Sequence, residues 1–148
     1  MSLNFRIKDG PDSGLSFDFI PSFDPSSDPF DCDRNGPDVF SVREEAFLFI
    51  EPFVARSVLD WKNYRHWGIT PISRDVWLEI LPRFEELRRD IRGNVRQNVL
   101  ITKYASAPGL LPPRLNLHRK ALLNFLDRFE ARVRLLIEHY PCIVIVGV

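Results

Sequence analysis

The sequence predicts a single α+β domain in which three long helices pack on a small, mainly antiparallel sheet. Three observations lead to this fold class. Two segments within the first twenty residues alternate polar and apolar side chains, as half-buried strands do. Three later segments place apolar residues at steps of three or four, which is the spacing of one helix face. The chain then closes on an apolar run, residues 142–148, that is typical of a buried strand.

The N-terminal part divides into a hairpin and a strap. Residues 4–8 and 14–20 carry the alternation, and the glycines and proline between them are turn formers, so we expect a hairpin over residues 1–20. Residues 21–40 lose all periodicity and are rich in proline and aspartate. We therefore expect an acidic, proline-rich strap there, and a loop of this length in a compact domain is often functional.

Residues 41–148 form the predicted helical body with its C-terminal strand. Ser41 and Glu44 fit a capping box, and the helix that they open should run to about Trp61. Ser73 is a suitable N-cap for a second helix, which Gly93 should end. No internal repeat and no linker divides the chain, so residues 1–148 are predicted to share one core.

Two of the three predicted helices contain an interior proline. Pro52 in the first and Pro82 in the second each remove a backbone N–H, so we expect both helices to bend or break. The third helix has the clearest stripe and ends at Pro141. The apolar strand after it should lie in the middle of the sheet, and a further short strand is expected over residues 98–102.

Composition and charge limit the classes of function. With 45% apolar and 27% charged residues, the chain resembles soluble globular proteins. No apolar run approaches the roughly 20 residues of a membrane span, and the N-terminus lacks the features of a secretory signal. Two cysteines are too few for a disulfide framework, so we expect a cytoplasmic protein without membrane association.

The net charge of zero conceals an asymmetry between the two ends of the chain. Residues 1–40 hold three basic and eight acidic side chains, and residues 41–148 hold seventeen basic and twelve acidic ones. The acidic front and the basic remainder can attract one another, or each can face a different partner.

Metal and cofactor signals are weak. Residues 31–36 match the first half of a calcium loop, but Val42 stands where the closing glutamate belongs, which favours an Asx-rich turn. The three histidines lack the spacing of a zinc site. Glycine-rich phosphate loops and nucleophile elbows do not occur in the sequence. The sequence therefore predicts no metal, no cofactor and no recognised catalytic residue.

The most distinctive segment is 61–77, which holds all three tryptophans. Tryptophan, tyrosine and arginine are the preferred anchors of protein interfaces. The candidate partner-binding residues of this segment are Trp61, Tyr64, Arg65, His66, Trp67 and Arg74. A second candidate surface consists of aspartates in the strap, which would pair with basic residues of a partner: Asp28, Asp31 and Asp33. The alternative is that the aromatic residues pack as a hydrophobic corner between two helices.

Two further functions compete with protein binding. Glu44 and Glu51 lie about two turns apart on one face of the first helix, and with His66 they could perform general acid–base catalysis in a cleft. The basic and aromatic residues of the 61–77 segment could instead bind nucleic acid, but interspersed carboxylates and overall neutrality disfavour this.

Residues 50–53, parts of 61–77 and the closing 143–148 resemble small uncharacterised bacterial proteins, some of which have the size and make-up of immunity proteins that neutralise toxins. The resemblance implies a bacterial, cytoplasmic, non-enzymatic protein and transfers no functional residue. Together with the tryptophan segment, it favours a protein-binding domain that neutralises its partner by occlusion. The oligomeric state stays open, and a homodimer is compatible with the apolar first helix.

Overall fold

One antiparallel sheet forms the base of the fold. The structure, a computed structural model, describes residues 4–23, 33–57, 66–93 and 118–147. The strands within these ranges are β1 Ile7–Asp9, β2 Ser16–Ser22, β3 Phe40–Arg43, β4 Ile69–Ser73 and β5 Cys142–Gly147. They pair in the order β1-β3-β2-β5-β4, and every neighbouring pair is antiparallel. The α+β class and the antiparallel sheet are therefore confirmed.

The helices only partly match the expectation of three long ones. They are α1 Glu44–Ser57, α2 Arg74–Ile80, α3 Phe84–Arg92 and α4 Arg119–Ile137. α4 has 19 residues and α1 has 14 and continues through Pro52, but the second predicted helix is divided. A 3₁₀ turn, Leu81–Arg83, separates α2 from α3. Pro82 explains the division, because proline cannot donate the helical hydrogen bond and its ring crowds the preceding turn. Within the described ranges, no helix has both the length and the apolarity that crossing a membrane requires.

The helices pack on one face of the sheet. Phe17 and Phe19 of β2 are fully buried in a core that also contains Phe47 of α1 and Phe129 of α4. The alternate residues of the strands form a smaller apolar cluster on the opposite face, which includes Ile20. This two-sided pattern follows from the period-two alternation of a strand.

The predicted N-terminal hairpin was wrong. β1 and β2 do not pair with each other; β3 lies between them, with Ile7 and Phe17 both opposite Val42. The glycines of the connecting turn do adopt positive φ, at 79° for Gly10 and 88° for Gly14, so the turn forms without the strand pairing that was expected from it.

The capping box was also wrong. Ser41 belongs to β3 and pairs with Asp18 of β2, so it cannot cap a helix, and α1 begins at Glu44. The segment Phe40–Arg43 alternates apolar and polar side chains, with Phe40 and Val42 in the core, and pairing on both sides keeps it extended.

The C-terminal strand lies inside the sheet, as expected, because β5 pairs with both β2 and β4. β4 was not predicted, and it places part of the tryptophan segment in the sheet. It occupies the edge position next to β5, where Pro71 is tolerated. The strand expected over residues 98–102 and residues 24–32 of the acidic strap lie outside the described residues.

Candidate functional site

Three titratable side chains meet at the start of α1. Glu44 lies in the first turn of α1 and Glu51 lies seven residues later, which brings both to the same face of the helix. The imidazole of His66 sits between them: its Nε2 is 3.2 Å from Oε1 of Glu44, and its Nδ1 contacts Oε2 of Glu51. The sequence had placed the same three residues together only as an alternative hypothesis.

Aromatic rings hold the imidazole in place. The imidazole of His66 forms T-shaped contacts with the rings of Phe17 and Trp67, with 4.8 Å and 4.5 Å between ring centroids. Phe17 is fully buried, and its other neighbours in the core include Phe47, on which it stacks at 3.9 Å. The site is therefore built on the rigid junction of β2 and α1.

The backbone next to His66 is fastened to the end of β5. The amide of Gly147 donates to the carbonyl of Gly68 at 2.8 Å. A Cβ atom at position 147 would lie only 2.5 Å from the carbonyl oxygen of His66 and 3.2 Å from Cα of Trp67. Glycine is required here because the two backbones approach too closely for any side chain.

Exposure increases steadily from one end of the site to the other. The side chain of Glu51 is 5% exposed, that of Glu44 is 13% exposed and that of His66 is 26% exposed. Trp67 is 46% exposed. The site thus runs from a buried carboxylate in the helix to an indole ring at the surface.

The two carboxyl groups contact both nitrogens of the His66 imidazole. While both contacts persist, neither ring nitrogen is available to a substrate, and the cluster acts as a latch on residues 66–68.

Trp67 and Leu15 are two exposed apolar side chains near buried Phe17. The indole of Trp67 stacks on Phe17 with ring centroids 5.3 Å apart and an angle of 18° between the planes. Leu15 precedes Phe17 by two residues and is 56% exposed. Its carbonyl accepts a hydrogen bond of 3.1 Å from the amide of Glu44. The start of β2, the start of α1 and residues 66–68 together present the two side chains.

Two other predicted interface residues have local structural contacts. Arg74 is half-buried, and its Nε donates to the carbonyl of Ile137 at the end of α4. The carboxylate of Asp33 accepts a 3.0 Å hydrogen bond from the amide of Asn35, which is an Asx turn. Trp61, Tyr64, Arg65, Asp28 and Asp31 lie outside the described residues, so their part in partner binding stays a prediction.

Two residues of the site were missed in the sequence. Gly147 had a usable signal, because a lone glycine in an otherwise apolar strand often marks a close approach of another backbone. Leu15 shares the phase of Phe17 in the alternating segment, but it lies just before β2 and is exposed.

The described residues contain no group of three or more histidine, cysteine, aspartate or glutamate side chains arranged to hold a metal ion. His66 illustrates the reason, since its two carboxylates lie at opposite ring nitrogens and cannot converge on one ion. Comparison with protein-family models, with curated proteins and with solved structures finds no match to this chain. Function must therefore be argued from its own residues.

Proposed function

We propose that this chain is a protein-binding domain of bacterial, immunity-like type that uses Trp67 as its central anchor and neutralises a partner by occlusion. The single observation that carries the proposal is the way in which Trp67 is presented. Trp67 is 46% exposed, yet its indole stacks on buried Phe17 and lies nearly perpendicular to a histidine that two carboxyl groups hold.

A rigid, exposed tryptophan is suited to binding for two reasons. Tryptophan is among the residues most enriched at the energetic centres of protein interfaces. Association also costs less when the anchor is already immobile, because fewer side-chain rotamers are lost on binding. Leu15, two residues before Phe17, is a second exposed apolar side chain.

Occlusion fits a surface with these properties. The latch that holds His66 leaves both ring nitrogens engaged, so the surface can cover a partner without chemistry of its own. The resemblance of the tryptophan segment and of the C-terminal strand to bacterial proteins of immunity type supports the same interpretation.

The test compares two exposed apolar side chains. Partners are captured from a nuclease-treated lysate of the source organism with three tagged proteins: wild type, Trp67→Ala and Leu135→Ala. Leu135→Ala is the matched control, because it removes a leucine on α4 that is 55% exposed. We expect one stoichiometric protein with wild type and Leu135→Ala, and at least tenfold less with Trp67→Ala. Melting temperatures must show that all three proteins are folded. Capture of the same partner by folded Trp67→Ala would contradict the proposal.

A second candidate function follows from the contact of Glu44, Glu51 and His66. General acid–base catalysis would require one ring nitrogen of His66 to leave its carboxyl partner and face a substrate. The side chain of Glu44 is more exposed than that of Glu51, so the contact between Nε2 and Glu44 is the one that would open. A panel of chromogenic ester, phosphoester and glycoside substrates tests this function. Turnover that disappears in His66→Gln, but persists in Trp67→Ala, would favour the enzyme over the binding domain.

A further inference from the structure

We infer that Trp67 and Glu44 form a receptor for an arginine side chain of the partner protein. The inference rests on the proposed protein-binding function and specifies the chemistry of its central contact. It combines three features of the site: an exposed indole, the carboxyl group of Glu44 on the other side of the His66 ring, and the absence of a lysine or arginine partner of Glu44 among the described residues.

The exposed indole belongs to Trp67. Phe17 covers one face of the indole at an angle of 18°, and His66 meets the ring nearly perpendicularly, at 83°. Trp67 nevertheless remains 46% exposed, so part of it is open to solvent. The face of an indole carries partial negative charge and attracts a cation placed over it.

The carboxyl group of Glu44 is separated from the indole by the imidazole of His66. The centroids of the His66 and Trp67 rings are 4.5 Å apart, and Nε2 of His66 is 3.2 Å from Oε1 of Glu44. Among the described residues, no side chain forms a hydrogen bond or ion pair with Oε2 of Glu44, whose side chain is 13% exposed. Oε2 can therefore accept a hydrogen bond from a cationic donor.

Arg43 precedes Glu44 but does not neutralise it. Its guanidinium donates to the carbonyl of Ser13 at 3.0 Å and lies 3.9 Å from Asp12, in the turn between β1 and β2. Burial alone would raise the pKa of Asp12, but the hydrogen bonds from Lys8 and from the Ser13 amide, with the charges of Lys8 and Arg43, hold it below its usual value. Arg43 is thus committed to this turn.

The geometry favours arginine over lysine. A planar guanidinium can stack on a flat indole face and still direct N–H groups sideways to a carboxylate, whereas the compact ammonium of lysine acts as a point charge. A hydrogen bond between charged groups is stronger than one between neutral groups, and partial burial of Glu44 reduces its screening by solvent.

The test measures binding of a minimal probe to the purified protein by NMR. N-acetyl-argininamide is titrated while the indole N–H signal of Trp67, identified by its loss in Trp67→Phe, is followed. The neutral isostere N-acetyl-citrullinamide serves as the control ligand. We expect a saturable shift with the arginine probe, at least fivefold weaker binding of the citrulline probe, and at least fivefold weaker binding of the arginine probe by Glu44→Gln. Glu79→Gln, which changes an exposed glutamate on α2, should bind as wild type does.

Three outcomes would overturn the inference: equal binding of both probes, an unchanged affinity in Glu44→Gln, or no saturable shift up to the solubility limit of the arginine probe. Partner capture separates this failure from that of the proposed function. If Trp67→Ala loses the partner and Glu44→Gln keeps it, the protein-binding function stands and the arginine receptor does not.

Discussion

Nδ1 of His66 is in direct contact with the buried carboxylate of Glu51. The contact joins residues 15 positions apart and fastens the backbone before β4 to the middle of α1. Trp67 is the next residue after His66, so the position of the exposed indole depends on a carboxyl group that lies inside the fold.

Replacing Glu51 with alanine should therefore destabilise the protein and release Trp67. The change leaves a half-buried imidazole nitrogen without its partner, which costs about 1–3 kcal/mol. Glu51→Gln keeps the shape and an acceptor oxygen, so we expect a smaller loss. The free energy of unfolding in urea and the emission of tryptophan should both respond. The control is Glu79→Ala, at an exposed position of α2, and an equal loss in this control would refute the role of Glu51.

Gly147→Ala should disturb the same site from the opposite side. The added methyl group would lie 2.5 Å from a backbone oxygen that cannot rotate away, so residues 66–67 must move. Overpacking of this kind costs about 1–3 kcal/mol. Gly93→Ala is the matched control: Gly93 ends α3 with an ordinary φ of −78°, and its Cβ would lie 3.2 Å from the nearest atom. If urea denaturation gave both variants the same free energy of unfolding, the close approach of the backbones at Gly147 would not limit the stability of the protein.

Local patterns in the sequence were sufficient for parts of the fold and of the site. The stripe of α4 and the apolar run of β5 depend on spacing within one element, and both elements form where they were expected. The same is true of Glu44 and Glu51, because seven residues correspond to nearly two helical turns. Their contact with His66 depends on how the chain returns after α1, and spacing carries no information about that path.

Strand pairing shows the same limit. The turn at Gly10 and Gly14 forms, but β3 inserts between the strands on either side of it. Pairing of β1 with β3 joins Ile7 to Val42, which are far apart in the chain, and no local signal reveals it. Ser41 was misassigned for a related reason: its spacing to Glu44 suits a capping box, while its pairing with β2 favours a strand.

A buried arginine connects α3 and α4, and its loss should be costly. Arg88 is 5% exposed; its guanidinium lies 2.6 Å from Glu85, 3.0 Å from Asp127 and 2.9 Å from Glu130. Burial alone would lower the pKa of Arg88, but the hydrogen bonds to Glu130 and Glu85 raise it above the usual value. The side chain therefore stays charged in the folded protein.

Arg88→Ala should reduce the free energy of unfolding by about 1–3 kcal/mol, through lost packing of its aliphatic part and lost pairing with three carboxylates. Arg88→Met keeps most of the packing and should lose less, because the carboxylates of Glu85 and Asp127 are more than half exposed and regain water. Arg134→Ala, which breaks an exposed pair with Glu130, should cost less than about 0.5 kcal/mol. Similar losses of unfolding free energy in the Arg88 and Arg134 variants would show that the burial of Arg88 does not contribute to stability.

The last prediction concerns alkaline pH. The phenol of Tyr140 donates a 2.9 Å hydrogen bond to Asp38, and this bond, a small desolvation and the negative charge of Asp38 raise the pKa of Tyr140. Since the folded pKa lies above the unfolded value, the contribution of the bond to stability is complete below a pH of about 10 and is lost as the pH rises through the folded pKa.

Ultraviolet titration of the phenolate tests this prediction, with Tyr140→Phe identifying the signal of Tyr140. In Asp38→Asn the pKa of Tyr140 should fall towards its ordinary value, because the acceptor loses its charge. Asparagine suits the position sterically, since residue 38 has a φ of 67° and asparagine is one of the few residues that readily adopt it. If the titration curve of Asp38→Asn were identical to that of wild type, Asp38 would not be the cause of the raised pKa of Tyr140.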